Sequence, residues 1–256
     1  MFISGLVSIS FRSLEPEKVI SMVEEAKLEA IEWGGDVHCP HGDTSKAESL
    51  RKKCENAGIA LPTYGSYYRA AVRDEKNPEF DAVLDSAAAL GTKTIRVWAG
   101  NRGSADADEA YRQAVTEDLL DISAKAAKQG ISIGLEHHGG TLTDVRESTL
   151  ALVKAVPSEN ITFYWQPPVG SGLQENLDMI EALKPRMSHI HVFHWRHIDG
   201  KTDRLPLSDG VADWSRYFEA IADDEERGAM LEFARNNSVE QFYHDAAVLR
   251  TLLKKD

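Results

Sequence analysis

The chain reads as an α/β protein built as one closed (β/α)8 barrel, and three observations predict it. Short apolar, β-branched runs alternate with longer segments whose apolar residues recur every three or four positions, from one end of the sequence to the other. These are the signatures of buried strands and amphipathic helices. Eight such pairs fit into 256 residues with no proline-rich or low-complexity linker between them, the usual size of an eight-unit barrel. The first strand is not followed by a Gly-x-Gly-x-x-Gly turn, so the competing open, doubly wound sheet lacks its fingerprint. A single domain over residues 1–256 is expected.

The elements follow in order. Residues 3–8 form the first strand, and Pro16 opens a helix with Val19, Ile20, Val23 and Ala26 on one face. Residues 30–33 are the second strand; Ala47, Leu50, Cys54 and Ala57 then stripe a helix stopped by Gly58, and residues 59–64 read as the third strand. Pro78 suits a first helical turn before Phe80, Val83, Leu84, Ala87 and Ala88, Gly91 ends that helix, and residues 94–98 are strand four. Val115, Leu119, Ile122 and Ala126 lead to Gly130 and a fifth strand at 131–136. Asp144 and Glu147 have capping-box spacing before Leu150 and Val153, and residues 161–166 are strand six. Leu177, Ile180 and Leu183 mark a short helix before Pro185, followed by strand seven at 188–193 and a long loop. A helix from Asp213 carries Trp214, Tyr217, Phe218 and Ile221, strand eight is 230–233, and Ser238 with Gln241 caps the last helix, through Phe242, Ala246 and Leu249.

Composition narrows the function. Forty-one acidic against 29 basic residues give a formal charge of −12, which repels a polyanion such as DNA. Two cysteines, Cys39 and Cys54, are too few for a disulfide framework and lack zinc-ribbon spacing, although a single bridge between them stays open. The N-terminus has no basic leader, and no apolar run is long enough to span a bilayer. A soluble cytoplasmic protein without nucleic-acid or membrane partners is expected.

In such a barrel the chemistry sits at the C-terminal ends of the strands. Strand five ends in Gly134-Leu135-Glu136-His137-His138, strand six in Trp165-Gln166-Pro167, strand seven holds His189-Ile190-His191-Val192, and strand eight ends in Leu231-Glu232-Phe233. Four consecutive strands thus offer a carboxylate, an amide, an imidazole and a carboxylate. Carboxylates near a barrel axis, with no cationic neighbour in sequence, repel each other and resist desolvation, and a shared divalent cation resolves both problems. Three oxygens and one imidazole suit Mn2+, Mg2+ or Co2+ better than a structural zinc. For any one of these residues taken singly, an ion pair with an arginine such as Arg96, or a backbone hydrogen bond, explains it as well.

This succession of motifs resembles the xylose-isomerase-like TIM-barrel superfamily, in particular its sugar phosphate isomerase/epimerase branch, over essentially the whole chain. The resemblance implies one divalent metal, Mn2+ first with Mg2+, Co2+ or Zn2+ compatible, bound by Glu136, Gln166, His191 and Glu232. Gln166 departs from the aspartate usual at its position. The resemblance also implies a carbohydrate substrate. The metal would grip its carbonyl and an adjacent hydroxyl, Glu136 and Glu232 would form the acid/base pair, and proton abstraction beside the carbonyl would pass through a metal-bound enediolate. Isomerisation or epimerisation is the first expectation. Elimination by a related dehydratase or keto-glycoside lyase begins with the same proton transfer, and a non-catalytic barrel with a decayed metal site is the third reading.

Further residues are expected to line the substrate. His38, in the glycine-relaxed turn after strand two, faces the mouth; Tyr64 and Tyr67 offer hydroxyls after strand three; Arg96 and Trp98 end strand four, with Arg96 better read as holding Glu136. His138 follows Glu136 by two and shares its face, while Trp195 and Arg204 belong to the long loop after strand seven. No Gly-rich phosphate cradle is present, which favours an unphosphorylated sugar or a sugar acid. Exposed aromatics such as Trp33 or Trp214 are candidates for a homo-oligomer contact.

Overall fold

The computed structural model describes residues 1–254; the expected domain runs two residues further. Eight parallel strands close into a barrel in the order β1 (Phe2–Val7), β10 (Arg227–Leu231), β7 (Met187–Val192), β6 (Ile161–Trp165), β5 (Ser132–Glu136), β4 (Thr94–Trp98), β3 (Thr63–Arg69) and β2 (Ala30–Gly34). Closure runs through β1 and β10, where Phe2 pairs with Arg227 and Leu6 with Leu231. Eight α-helices surround it: α1 (Pro16–Glu25), α2 (Thr44–Asn56), α3 (Phe80–Leu90), α4 (Glu109–Ala127), α5 (Arg146–Ala155), α6 (Leu173–Leu183), α7 (Val211–Ile221) and α8 (Val239–Leu252). No described helix is long and apolar enough to cross a membrane.

The period of two along each strand sorts residues between two layers. Ile31, Trp33, Tyr64, Ile95, Val97, Leu135, Phe163, Trp165, Ile190 and Val192 join the large core cluster between strands and helices. Their neighbours of opposite parity, including Glu32, Gly65, Arg96, Glu136, Tyr164 and His191, point to the barrel axis. Glycines make room there: a Cβ on Gly134 would lie 2.2 Å from the Tyr164 ring, and one on Gly65 would lie 2.7 Å from Glu32 Oε1 and 3.1 Å from Arg96 Nη2.

Several expectations are corrected. The third strand begins at Thr63 rather than 59, because Pro62 has no N–H to extend the ladder and Ala60 forms only an isolated bridge with Ala30. Pro78 precedes the helix it was expected to open, since α3 starts at Phe80. Asp144 does not cap α5; its Oδ2 instead accepts from the Ser104 backbone N–H at 2.8 Å. Ser238 does cap α8, accepting from Gln241 N. The loop after strand seven contains an antiparallel hairpin, β8 (His194–Ile198) with β9 (Lys201–Leu205). Its turn, Asp199-Gly200, has positive φ at both residues (50° and 75°), the Asp-Gly signal of a two-residue hairpin. Cys39 and Cys54 are free, buried thiols, and burial raises Cys39 to about 12 and Cys54 to about 11, so neither is a ready nucleophile. Trp33 and Trp214, read as exposed, are buried in the core.

Candidate active site at the barrel mouth

Five inward side chains meet at the C-terminal end of the barrel. Glu32 comes from β2, Arg96 from β4, Glu136 from the last position of β5, His191 from β7, and Glu232 from the residue after β10. All are buried. Arg96 donates through Nε to Glu32 Oε1 at 3.1 Å and through Nη1 to Glu136 Oε2, which also accepts from the Trp98 indole.

His191 lies between two sets of oxygens. Its Nδ1 is 3.1 Å from Gln166 Oε1, 3.3 Å from Glu136 Oε1 and 3.7 Å from Glu232 Oε2, while Nε2 is 3.5 Å from Glu32 Oε2. Ligand atoms of Glu136, His191 and Glu232 lie within 4.8 Å of one another, so one ion could reach them all. Gln166 is bridged in place, donating through Nε2 to the His137 carbonyl at 2.7 Å.

The electrostatics fit a cation. Three buried carboxylates face a single guanidinium, so protons accumulate on whatever can accept them. Burial alone would lower His191, yet Glu232, Glu32 and Glu136 raise it to about 10. Burial and the neighbouring carboxylates Glu136 and Glu32 raise Glu232 to about 7, against the pull of His191 and Arg96. Glu136 moves the other way: burial opposes its charge, but Arg96 and His191 outweigh burial and hold it well below the usual carboxylate range. One divalent ion carries the same charge as the two protons this cluster attracts. Carboxylate, amide and imidazole donors are the set that hard and borderline divalent metals accept.

The carboxylates have no cationic neighbour in sequence, but the closed barrel brings Arg96 between Glu32 and Glu136, in the role of holding Glu136 that was the favoured reading of this arginine. Arg96 is consumed by that role and presents no free face to substrate. His38 is also withdrawn from the substrate: its ring nitrogens lie 3.0 Å from Ser8 Oγ and 3.0 Å from the Leu14 carbonyl. Tyr64 faces the outer layer and donates to the Cys39 carbonyl at 2.7 Å, whereas Tyr67, of opposite parity, borders the mouth and accepts from Arg12 Nη2 at 2.7 Å. Trp98 is flanked by His138 (ring centroids 4.7 Å apart), the Tyr67 edge and the Arg69 guanidinium at 4.9 Å. On the other side, Arg204 lies 4.0 Å over the Phe233 ring and 5.4 Å from Trp195. Phe233, next to Glu232, has φ of +56°, unusual for so bulky a residue.

Sequence reading missed Glu32, Arg12 and Arg69. Glu32 had a signal, a lone charge between Ile31 and Trp33 in an otherwise apolar strand, on the parity opposite to those core residues. The larger cavities lie elsewhere: one of about 860 Å³ opens beside Phe2 between α7 and α8, remote from these carboxylates.

Residues 20–252 match the profile of the family described as xylose isomerase-like TIM barrel. A curated relative, a 3-dehydroshikimate dehydratase of Bacillus anthracis, is 26% identical over 166 residues, 57% of this chain and 58% of that relative, so the match spans little more than half of its length. Among solved structures, a probable 3-DHS dehydratase of Bacillus anthracis superposes with a TM-score of 0.78 at 21% identity, covering 97% of this chain and 98% of the other. A D-psicose 3-epimerase crystallised with D-fructose gives 0.72 at 16% identity over 98% and 99% of the two chains. The IolI protein with a bound zinc atom gives 0.74 at 14% identity over 98% of each. At these identities the structural likeness speaks to the fold.

Proposed function

The chain belongs to the xylose isomerase-like TIM-barrel family, and from that premise we propose a divalent-metal-dependent enzyme that removes a proton from the carbon next to a carbonyl in a small oxygenated acid. The convergence of Glu136, Gln166, His191 and Glu232 on one point carries the proposal. A divalent cation held by those four residues would supply Lewis acidity that polarises the substrate carbonyl. A neighbour with a bound zinc atom supports the metal; Mn2+ and Mg2+ suit the same donors.

The two carboxylates are not equivalent. Glu136 accepts from Arg96 and Trp98 and lies against His191, so it is anchored and weakly basic. Glu232 has one ion-pair contact, at 3.7 Å, and is the more basic of the two. Glu232, with fewer anchoring contacts than Glu136, is therefore the proton-transferring group in this reading. It takes the proton from carbon and delivers it to a departing hydroxyl.

One base suffices for that elimination, whereas epimerisation needs a second acid on the opposite face. This asymmetry, together with the dehydratase among the relatives, puts dehydration first. The sugar isomerase/epimerase reading stands second, supported by the D-psicose 3-epimerase neighbour, with Glu136 then serving as the second acid/base group. Arg204 and Arg69 have no carboxylate within ion-pair distance among the described residues, and each is stacked on an aromatic ring beside the site. Their free charge favours a substrate carboxylate over a neutral sugar. A small-molecule partner follows from this reading.

The test is incubation of the purified protein with Zn2+, Mg2+ or Mn2+ and a panel of keto-acids and keto-sugars in D2O, including 3-dehydroshikimate and D-fructose. Metal-dependent loss of water is expected. Deuterium incorporation without loss of water points to the epimerase. Absence of both with every metal overturns the proposal, and Glu232→Gln is expected to lower turnover by roughly 10²–10⁴-fold.

A further inference from the structure

Glu32 lies deepest of the charged residues at the mouth, with no exposed surface, and no role in proton transfer accounts for it. A buried carboxylate is costly unless both oxygens are matched. Oε1 is matched by Arg96 Nε; Oε2 faces Nε2 of His191, reached across the barrel axis from β2 to β7. Arg96 and His191 each continue to Glu136, so Glu32, Arg96, Glu136 and His191 form a closed ring of contacts tying β2, β4, β5 and β7 together. Gly65 on β3 clears the path, since any Cβ there would meet both Glu32 Oε1 and Arg96 Nη2.

We propose that Glu32 is a positioning residue that fixes His191 as the Nε2–H tautomer and aims its Nδ1 lone pair at the point shared by Gln166, Glu136 and Glu232. The inference rests on the metal reading given above. An imidazole offers a metal one nitrogen, and the partner of its other N–H sets the tautomer, the ring orientation and the basicity of the ligand. Nδ1 faces three oxygen ligands, and Nε2 faces Glu32. Neutralising Arg96 does not by itself require Glu32, because Glu136 already pairs with that guanidinium. The oxygen left over is the one aimed at His191.

The experiment measures Zn2+ affinity by competition with a chelating dye, with the 15N shifts of His191 in the Zn2+-loaded protein, for wild type, Glu32→Gln and Glu32→Asp. Zn2+ bound at Nδ1 with a proton on Nε2 is expected in wild type, and Zn2+ binding 10–100-fold weaker in both variants. Glu32→Asp keeps the charge but withdraws it by one methylene, so its loss separates positioning from bulk electrostatics. Zn2+ binding within about twofold of wild type in Glu32→Asp, or Zn2+ on Nε2 of wild-type His191, overturns the role of Glu32 while leaving the metal site standing. Wild-type protein that binds no Zn2+ overturns both. Because the 15N shifts are read on wild type, the proposal stays testable even if a variant fails to fold.

Discussion

Arg96 donates to Glu136 from the neighbouring strand, and with both side chains buried this ion pair sits in the floor of the candidate active site. The same guanidinium holds Glu32. Removing it leaves two buried carboxylates without their cation, and breaking a buried pair in this way costs on the order of 3–5 kcal/mol. Arg96→Met is expected to lower the unfolding free energy by about that amount, read from urea denaturation. Arg96→Lys is expected to recover only part, because one ammonium cannot match the two separate donors that reach Glu32 and Glu136. Stability unchanged in Arg96→Met would show that the ring is not structural.

Arg204 sits over Phe233 beside Glu232 with one hydrogen bond, to Asn237 Oδ1 at 2.8 Å. If it receives a substrate carboxylate, Arg204→Ala should raise KM by about tenfold or more, as expected for loss of a hydrogen bond between charged groups, with a smaller change in kcat. The wild-type KM should rise with salt and the variant's should respond less. Equal losses in kcat and kcat/KM would instead assign Arg204 to the transition state.

His38 bonds Ser8 and the Leu14 carbonyl within the fold. His38→Ala is therefore expected to cost about 1–3 kcal/mol of stability through groups left unsatisfied. Zn2+ affinity should be unchanged. A large loss of turnover at full stability would return His38 to the substrate.

Asp118, buried under the chain that follows β3, accepts from Tyr68 Oη at 2.7 Å, Ala71 N at 2.8 Å and Arg73 Nη2 at 2.6 Å. Burial opposes its charge, but these donors outweigh burial and lower its pKa. With the folded value below the unfolded one, the carboxylate contributes stability that is fully present above the unfolded pKa and is lost as pH falls through the folded one. Asp118→Asn should be less stable than wild type by about 1–3 kcal/mol near neutrality. The gap should begin to narrow as the pH falls toward the ordinary aspartate value of about 4 and keep narrowing below it. A gap independent of pH would show that the charge plays no part.

Much of this site was legible because a barrel places strand ends at one mouth. Glu136, Gln166, His191 and Glu232 could be named from their positions at the ends of apolar runs, and the structure gathers oxygens of the other three around His191 Nδ1. Tyr64 and Tyr67 could have been separated by parity, since residues three apart on a strand face opposite sides. The hairpin after strand seven was announced by Asp199-Gly200. Glu32 was harder, because its partners stand 64 and 159 residues away.

Periodicity and length determined the barrel, its eight units and the line of strand ends on which chemistry could lie, because burying apolar surface is a local demand repeated in every βα unit. Which charges neutralise one another was decided only in three dimensions. Arg96, expected to hold Glu136, also holds Glu32; His38, expected to face the substrate, is consumed by Ser8 and Leu14. Electrostatic pairing depends on distances across the barrel axis, and those exist only once β1 has closed on β10.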